Sequence, residues 1–146
     1  MNILHKPEFW YTTASIFAAF IIFFLSQNLR SGKKLILRLF KANQVISLNI
    51  QEKLDDFIKK HDAYDAIAFP EKNITYGHFL EQMKEEFDVN LSDQLYHILK
   101  KRKFSKPEIE SSIDSLNKQN EALRMMDIDM KLVIRKADSM GNCAKS

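Results

Sequence analysis

The sequence predicts an all-α protein: a single N-terminal transmembrane helix continuing into a long amphipathic stalk helix, followed by two further helices. Three observations lead to this prediction. The 146 residues include only three Gly and three Pro, which disfavours a fold of strands and turns. One apolar run near the N-terminus lacks charge, and apolar residues then recur at helical spacing. We therefore divide the chain into a short external segment, a transmembrane helix, a juxtamembrane amphipathic helix and a helical C-terminal region with a frayed tail: 1–9, 10–29, 30–69 and 70–146.

The first predicted helix is the run between Glu8 and Arg30, which contains no charged residue. About twenty helical residues reach roughly 30 Å, the thickness of the hydrocarbon core of a bilayer. The large apolar side chains at its centre favour insertion by about 2.5 to 5 kcal/mol in total. The run is therefore predicted to cross the membrane. Its flanks carry the residue types expected at the two membrane interfaces: Trp10, Tyr11, Arg30, Lys33 and Lys34.

The charges around this run predict its orientation. Basic residues follow it with no acidic residue among them, which also suits contact with anionic lipid. The positive-inside rule then puts the N-terminus outside and the rest of the chain in the cytoplasm or matrix. A secretory signal peptide would carry its basic residues before the run, and Ser26-Gln27-Asn28 is a poor cleavage site. A buried helix of a soluble domain is the other alternative.

The second predicted element is a long amphipathic helix that leaves the membrane without a linker. Its apolar stripe advances in steps of four, seven, four and seven residues, an eleven-residue repeat typical of right-handed supercoiling. A packed amphipathic helix fits the pattern almost as well. We expect the helix to run to about Ala68, because Pro70 forces the residue before it toward extended geometry. The stripe, predicted to be a helix-packing interface, consists of Leu35, Leu39, Ile46, Ile50 and Phe57.

The segment after this helix is predicted to hold a loop and a second helix. The string PEKNITYG reads as the loop, with Thr75 as a plausible N-cap. The helix is expected from Tyr76 to about Lys101, with a break or kink near Asn90. The string DAIAFPEKNITYGHFLEQM is similar to the opening strand-turn-helix of adenylate-forming enzymes. We infer no activity from it, because nothing here resembles that family's phosphate-binding loop and the chain is several-fold too short.

The third predicted helix begins at the string SKPEIE. Ser105 and Glu108 have the spacing of a capping box, and Pro107 is tolerated in a first helical turn. We expect the helix to fade near Ala137 and to be followed by a frayed polar tail.

No pattern in the sequence predicts catalysis, a cofactor or a metal site. None of the four histidines is part of an HExxH motif, and no two have the spacing of a helical ligand pair. Cys143 is the only cysteine, so neither an intrachain disulfide nor a cysteine zinc site can form. The acidic pairs, including Asp127-Asp129, read as solvated helix faces. The net charge of +3 is nearly balanced, so nucleic-acid binding is not suggested. We therefore expect a non-enzymatic protein.

Two strings together resemble a known family. The strings LHKPEFWYTTASIFAAFIIFFL and GKKLILRLFKANQVISLNIQEKLDDF resemble subunit b of F-type ATP synthases, especially the alphaproteobacterial and mitochondrial forms. That family opens with a Pro-Glu-Phe-Trp-like string, a single apolar span and a basic exit, and continues as a long helix with eleven-residue periodicity. The resemblance covers roughly residues 4–58. The chain departs from the family in Pro70, Gly77 and Pro107, which interrupt the stalk region, and in its few alanines.

The resemblance implies a non-catalytic peripheral-stalk (stator) subunit of a proton-translocating F-type ATP synthase, in a bacterial or mitochondrial inner membrane. Residues near Trp10 to Phe24 would pack on the membrane motor subunit. Leu35 to Phe57 would pack on a second stalk helix, and head subunits would be further partners. The alternative is a single-pass membrane-tethered helical adaptor or assembly factor of another membrane complex. Pro70 and Pro107 favour that alternative, because they divide the soluble part into helices of bundle-like length.

Overall fold

Residues 7–143, whose backbone the structure describes, form four α-helices and one small hairpin. A computed structural model describes the backbone of residues 7–143 and the side chains of residues 27–141. The predicted all-α class is confirmed, apart from two short antiparallel strands. The elements are α1 (Pro7–His61), β1 (Ile67–Phe69), β2 (Ile74–Thr75), α2 (Tyr76–Asn90), α3 (Asp93–Lys101) and α4 (Lys106–Cys143).

Within residues 27–141, no helix is long and apolar enough to cross a membrane. The predicted transmembrane segment, 10–29, belongs to α1, but its side chains up to residue 26 lie outside the described part. The side chains of Trp10 and Tyr11 therefore also lie outside it. The same holds for residues 1–6 of the predicted external segment and for residues 144–146.

The two long helices, α1 and α4, lie side by side and run in the same direction. Lys53 Nζ bonds Asp127 across 74 positions of sequence, and Lys60 Nζ bonds Asp138 across 78. A nearly constant offset along the pair requires parallel helices. Since two parallel helices need a return segment, α2 and α3 run back beside them, and the bundle is up-down-up. We call its end at Gly32 and the α3–α4 turn the base, and its end at the hairpin the top.

The core fills the space between α1 and the other helices in two clusters. The upper cluster joins α1 to α2, α4 and the turn after α1. The lower cluster joins α1 to α2, α4 and the α2–α3 junction. Leu54, Phe57, Ile58, Ala63, Leu80 and Met130 are the buried members of the upper cluster. Phe40, Ile50, Met83, Leu91 and Leu123 are those of the lower cluster.

A buried polar layer interrupts the apolar stripe of α1. Asn43 is 0% exposed, and its Nδ2 donates to the carbonyl of Leu116 at 3.0 Å and to Gln119 Oε1 at 2.9 Å. Asn120 Nδ2 donates in return to Asn43 Oδ1 at 2.7 Å. The neighbouring Gln44 donates to a carbonyl at the α2–α3 junction. The hydrogen bonds of this layer therefore satisfy its buried side-chain amides, and they join α1 to α4 and to the α2–α3 junction.

α1 ends at His61, so the prediction that it runs to about Ala68 is wrong. Asp62 adopts the left-handed conformation with φ 48°, and the Ala63 N–H donates to the Ile58 carbonyl at 3.0 Å. A left-handed residue with such a bond closes a helix and does not need a proline. Pro70 instead begins the 3₁₀ turn that connects β1 and β2.

Three predicted helix-terminal features are confirmed. Thr75 Oγ1 accepts a bond from the His78 N–H at 3.2 Å and caps α2. The break near Asn90 separates α2 from α3, where Leu91 is buried and Ser92 caps the next helix. The third is the capping box of α4.

The capping box of α4 is present, because Glu108 accepts bonds from the Ser105 N–H at 2.8 Å and from its hydroxyl at 2.9 Å. The end of α4 differs from the prediction. The helix does not fade near Ala137 but extends to Cys143, into the region predicted to be a frayed tail.

Asp127 is half-buried between two lysines, so the prediction that it lies on a solvated face is wrong. Its carboxylate accepts bonds from Lys131 Nζ and Lys53 Nζ, each at 2.7 Å. These bonds outweigh the desolvation and hold the pKa of Asp127 below its ordinary value of 3.8. A carboxylate whose pKa is lower in the folded chain than in the unfolded chain stabilises the fold. This stabilisation is complete at pH values above the unfolded pKa, and it is lost as the pH falls through the folded pKa.

We expect Asp127→Asn to weaken the acid dependence of bundle stability. The wild-type chain should lose stability as the pH falls below about 4. The variant should lose less, although bonds to basic groups also lower the pKa of Asp93 and Asp138. Thermal unfolding of the full chain in detergent at a series of pH values measures the slope. Asp129→Asn, an exposed carboxylate on the same helix, controls for the change of net charge. Equal slopes in all three proteins would contradict the prediction.

Candidate interaction surfaces

The residues of the predicted packing stripe lie mostly inside the chain's own bundle. Ile50 and Phe57 are buried in the two core clusters, and Leu39 and Ile46 are half-buried. Leu35, the residue nearest the base, is 38% exposed. α4 and the returning helices therefore occupy much of the surface that a separate helix would need along this stripe.

A groove of about 600 Å³ opens between α2 and α4. Ser47 of α1 also lines it, because α2 and α4 both pack on α1. The two methionines among its apolar lining residues have flexible side chains, which suit a groove that adjusts to its occupant. The apolar lining consists of Phe79, Met83, Phe87, Val89, Leu91, Ala122, Leu123 and Met126.

The charged residues that line this groove are acidic. Glu85 and Glu86 line it from α2, and both are exposed. Among the described residues, no Lys or Arg lines the groove. It therefore presents apolar surface beside negative charge, and its chemistry suits an apolar partner surface that carries basic residues.

A second apolar surface lies on α4 away from the core. Met125, Ile128 and Leu132 are all exposed, and they follow one another at the helical spacing of three and four residues. Exposed bases such as Arg124 and Arg135 flank this stripe. Within residues 27–141, no side chain covers this stripe: Met125, Ile128 and Leu132 are each more than half exposed.

The base of the bundle brings together two basic segments distant in sequence. Lys33 Nζ donates to the Arg102 carbonyl at 2.7 Å, across 69 positions. The helices are close here, since a Cβ on Gly32 would lie 2.6 Å from Ile109 Cγ2. The predicted interface residues Arg30, Lys33 and Lys34 therefore lie beside the α3–α4 turn. The basic residues of that turn and its flanks are Lys100, Lys101, Arg102, Lys103 and Lys106, all exposed.

The histidines with described side chains lie apart from one another. His61 packs against the Phe57 ring at 4.9 Å, and its Nε2 lies 3.5 Å from Asp138 Oδ1, beyond good hydrogen-bond distance. His78 and His97 are exposed. Within residues 27–141, no three His, Cys, Asp or Glu side chains are grouped so that they could hold a metal ion.

No protein-family model, curated protein or solved structure matches the chain.

Sequence reasoning did not find two of these surfaces. The groove depends on how α2 and α4 pack on α1, which no local pattern encodes. The basic string KKRKFSK, residues 100–106, was visible in the sequence. Its position beside Arg30 and Lys34 follows only from the up-down-up topology.

Proposed function

We propose that this protein is a non-catalytic, single-pass membrane-tethered helical adaptor. One observation carries the proposal: α4 lies along α1 and, with α2, buries Phe40, Ile50, Leu54 and Phe57 of α1 within one chain. A bundle that buries its own stripe acts as a self-contained module. It binds partners through the surfaces that remain outside.

The tether in this proposal is the segment 10–29. Its support is the uncharged apolar run in the sequence, flanked by aromatic residues on one side and basic residues on the other. The bundle starts at Gly32, and α1 runs from the segment 10–29 into the bundle without a break. This continuity supports a tether joined directly to the bundle.

The docking site in this proposal is the groove between α2 and α4, and its occupant is an amphipathic helix of a partner protein with basic residues beside its apolar face. A helix places apolar side chains into such a groove at positions i, i+3, i+4 and i+7. Glu85 and Glu86 would face the basic residues of that helix. The acidic rim would exclude helices whose corresponding positions are acidic.

A second candidate function is the stator subunit of an F-type ATP synthase. It is favoured by the uninterrupted course of α1 from Pro7 to His61, since a stator needs a stiff connection away from the membrane. In this case α4 would supply the second parallel helix of the stalk from the same chain. We rank it second because Ile50 and Phe57 are already buried within the bundle.

Photocrosslinking from the groove tests the adaptor proposal. We expect a photoreactive residue in place of Gln82, which lines the groove, to capture a basic amphipathic helix in native membranes. The same residue in place of Lys84, which does not line it, should capture little. Glu85→Lys with Glu86→Lys should lower the capture by about tenfold or more, because like charges then meet at the interface.

The identity of the captured chain separates the alternatives. A motor, ring or head subunit of a rotary ATPase would support the stator and contradict the adaptor. A second copy of this chain would make the groove a dimer contact. Equal capture from Gln82 and Lys84, unchanged by the charge reversal, would refute the docking site.

A further inference from the structure

The base of the bundle carries cations that the fold leaves without carboxylate partners. Three lysines of α1 are paired across the body with carboxylates of α3 and α4: Lys41 with Asp93, Lys53 with Asp127 and Lys60 with Asp138. At the base, the only ion pair among described residues joins Arg102 to Glu108. The basic residues there with no ion pair among the described residues are Arg30, Lys33, Lys34, Lys100, Lys101, Lys103 and Lys106.

The position of this surface follows from helix geometry. If the segment 10–29 spans the bilayer, Lys33 lies about 6 Å beyond its last residue, at about 1.5 Å per residue. The headgroup layer on each side of the hydrocarbon core is about 5 to 8 Å thick. The bond from Lys33 Nζ to the Arg102 carbonyl holds the α3–α4 turn at the same height. Both basic segments therefore lie at the level of the lipid headgroups.

We propose that the α3–α4 turn and its flanks, together with residues 30–34 of α1, form one composite surface that binds the headgroups of anionic lipids and holds the bundle against the membrane. This inference rests on the proposed tether and extends it. The sequence places only the α1 cluster beside the membrane. The fold adds a second cluster from about seventy positions away and attaches it to the first.

Two features favour a lipid surface over a nucleic acid. Seven of the thirteen described Lys and Arg residues without an ion pair lie at one end of the bundle beside the predicted span, in residues 30–34 and 100–106, which contain no acidic residue. The chain as a whole has a net charge of only +3, because carboxylates balance the basic residues elsewhere. An anionic bilayer that faces the base interacts with the charges of the base and not with the net charge of the whole chain. This is because charges act only over a Debye length, about 8 Å at physiological salt.

The test uses the full chain in nanodiscs of phosphatidylcholine alone and of phosphatidylcholine with about 30% phosphatidylglycerol, a content that gives an anionic surface. Hydrogen exchange of residues 100–105, the end of α3 and the α3–α4 turn, is the measurement. We expect these amides to exchange at least about fivefold more slowly in the anionic discs. One basic residue near an anionic surface contributes about 1 kcal/mol, which corresponds to this factor. The difference should vanish near 1 M salt, where the Debye length is about 3 Å.

Two matched variants assign the effect to the base. One changes to glutamine the four lysines of the turn and its flanks: Lys100, Lys101, Lys103 and Lys106. The other, the control, changes to glutamine four exposed basic residues that lie elsewhere on the bundle: Lys72, Lys84, Arg135 and Lys136. Both lower the net charge by the same amount. Only the first should abolish the difference between the two kinds of disc. Equal behaviour of the two variants would overturn the proposal.

The outcomes separate the surface from the tether. A chain that enters both kinds of disc but exchanges equally in them refutes the surface and keeps the tether. A chain that binds only the anionic discs, and leaves them at high salt, refutes the tether and keeps the surface. Protection of the turn by added polyuridylic acid in neutral discs, without any effect of anionic lipid, would assign the patch to nucleic acid and overturn the proposal.

Discussion

Phe40→Ala is expected to lower the free energy of unfolding of the bundle by about 3 to 5 kcal/mol, the cost of removing a buried aromatic side chain. Phe40 is 2% exposed and lies in the lower core cluster. Its ring centroid is 5.9 Å from that of Tyr96 on α3. The substitution opens a cavity where α1 meets the returning helices, and the surrounding helices can fill it only in part.

The measurement is native-state hydrogen exchange of the full chain in mild detergent, read on the amides of α4. A loss of this size should lower their protection by roughly two to four orders of magnitude, at about 1.4 kcal/mol per factor of ten. Val45→Ala is the matched control, because Val45 lies on the same helix and is 65% exposed. We expect that control to change stability by no more than about 0.5 kcal/mol.

The result bears directly on the proposed function. In an extended stalk, α4 would not depend on Phe40, and the two variants would exchange alike at α4. Equal exchange would therefore contradict the bundle and remove the main support for the adaptor. A large and specific effect of Phe40→Ala would show that α1 and α4 belong to one cooperative unit.

Local sequence signals predicted the helices well, and their limits have physical causes. The caps at Thr75 and Ser105 depend on residues three positions apart, so the sequence is sufficient to find them. The end of α1 was missed because a proline is an obvious signal, whereas a left-handed residue at Asp62 is not. The β1–β2 hairpin appeared only in a local resemblance to a strand-turn-helix and not in any alternation of apolar residues.

Properties that depend on packing were not available from the sequence. The apolar stripe of α1 predicted a helical partner but not whether it comes from the same chain. Asp127 resembled any exposed carboxylate until α4 was placed beside Lys53. The polar residues Asn43 and Gln44 fell between the apolar positions of the repeat and so carried no signal, although both are buried.

Asn43→Leu is expected to destabilise the bundle by about 1 to 3 kcal/mol, because it leaves polar groups in α4 without their bonds. Asn43 makes three hydrogen bonds to α4, through Leu116, Gln119 and Asn120. A single buried Asn between parallel helices can determine their register, and its removal allows other registers to form. We therefore expect Asn43→Leu to broaden the register between α1 and α4 as well as to lower stability.

Crosslinking measures the register independently of stability. In a Cys143→Ser background, Lys53→Cys with Asp127→Cys tests the register seen here, in which Lys53 Nζ lies 2.7 Å from Asp127 Oδ1. Lys53→Cys with Lys131→Cys tests a register displaced by about one helical turn. A short bismaleimide should favour the first pair in the otherwise unchanged chain. Adding Asn43→Leu should raise the yield of the second pair relative to the first.

Gln51→Leu is the matched control for this effect. Gln51 also lies on α1, but it donates to Ser47 of the same helix and to the Met83 carbonyl of α2, not to α4. It should leave the ratio of the two crosslinks unchanged. If Asn43→Leu and Gln51→Leu give the same ratio as the unchanged chain, the polar layer contributes stability alone and does not set the register. If only Asn43→Leu alters the ratio, the layer sets the register in which α4 packs beside α1.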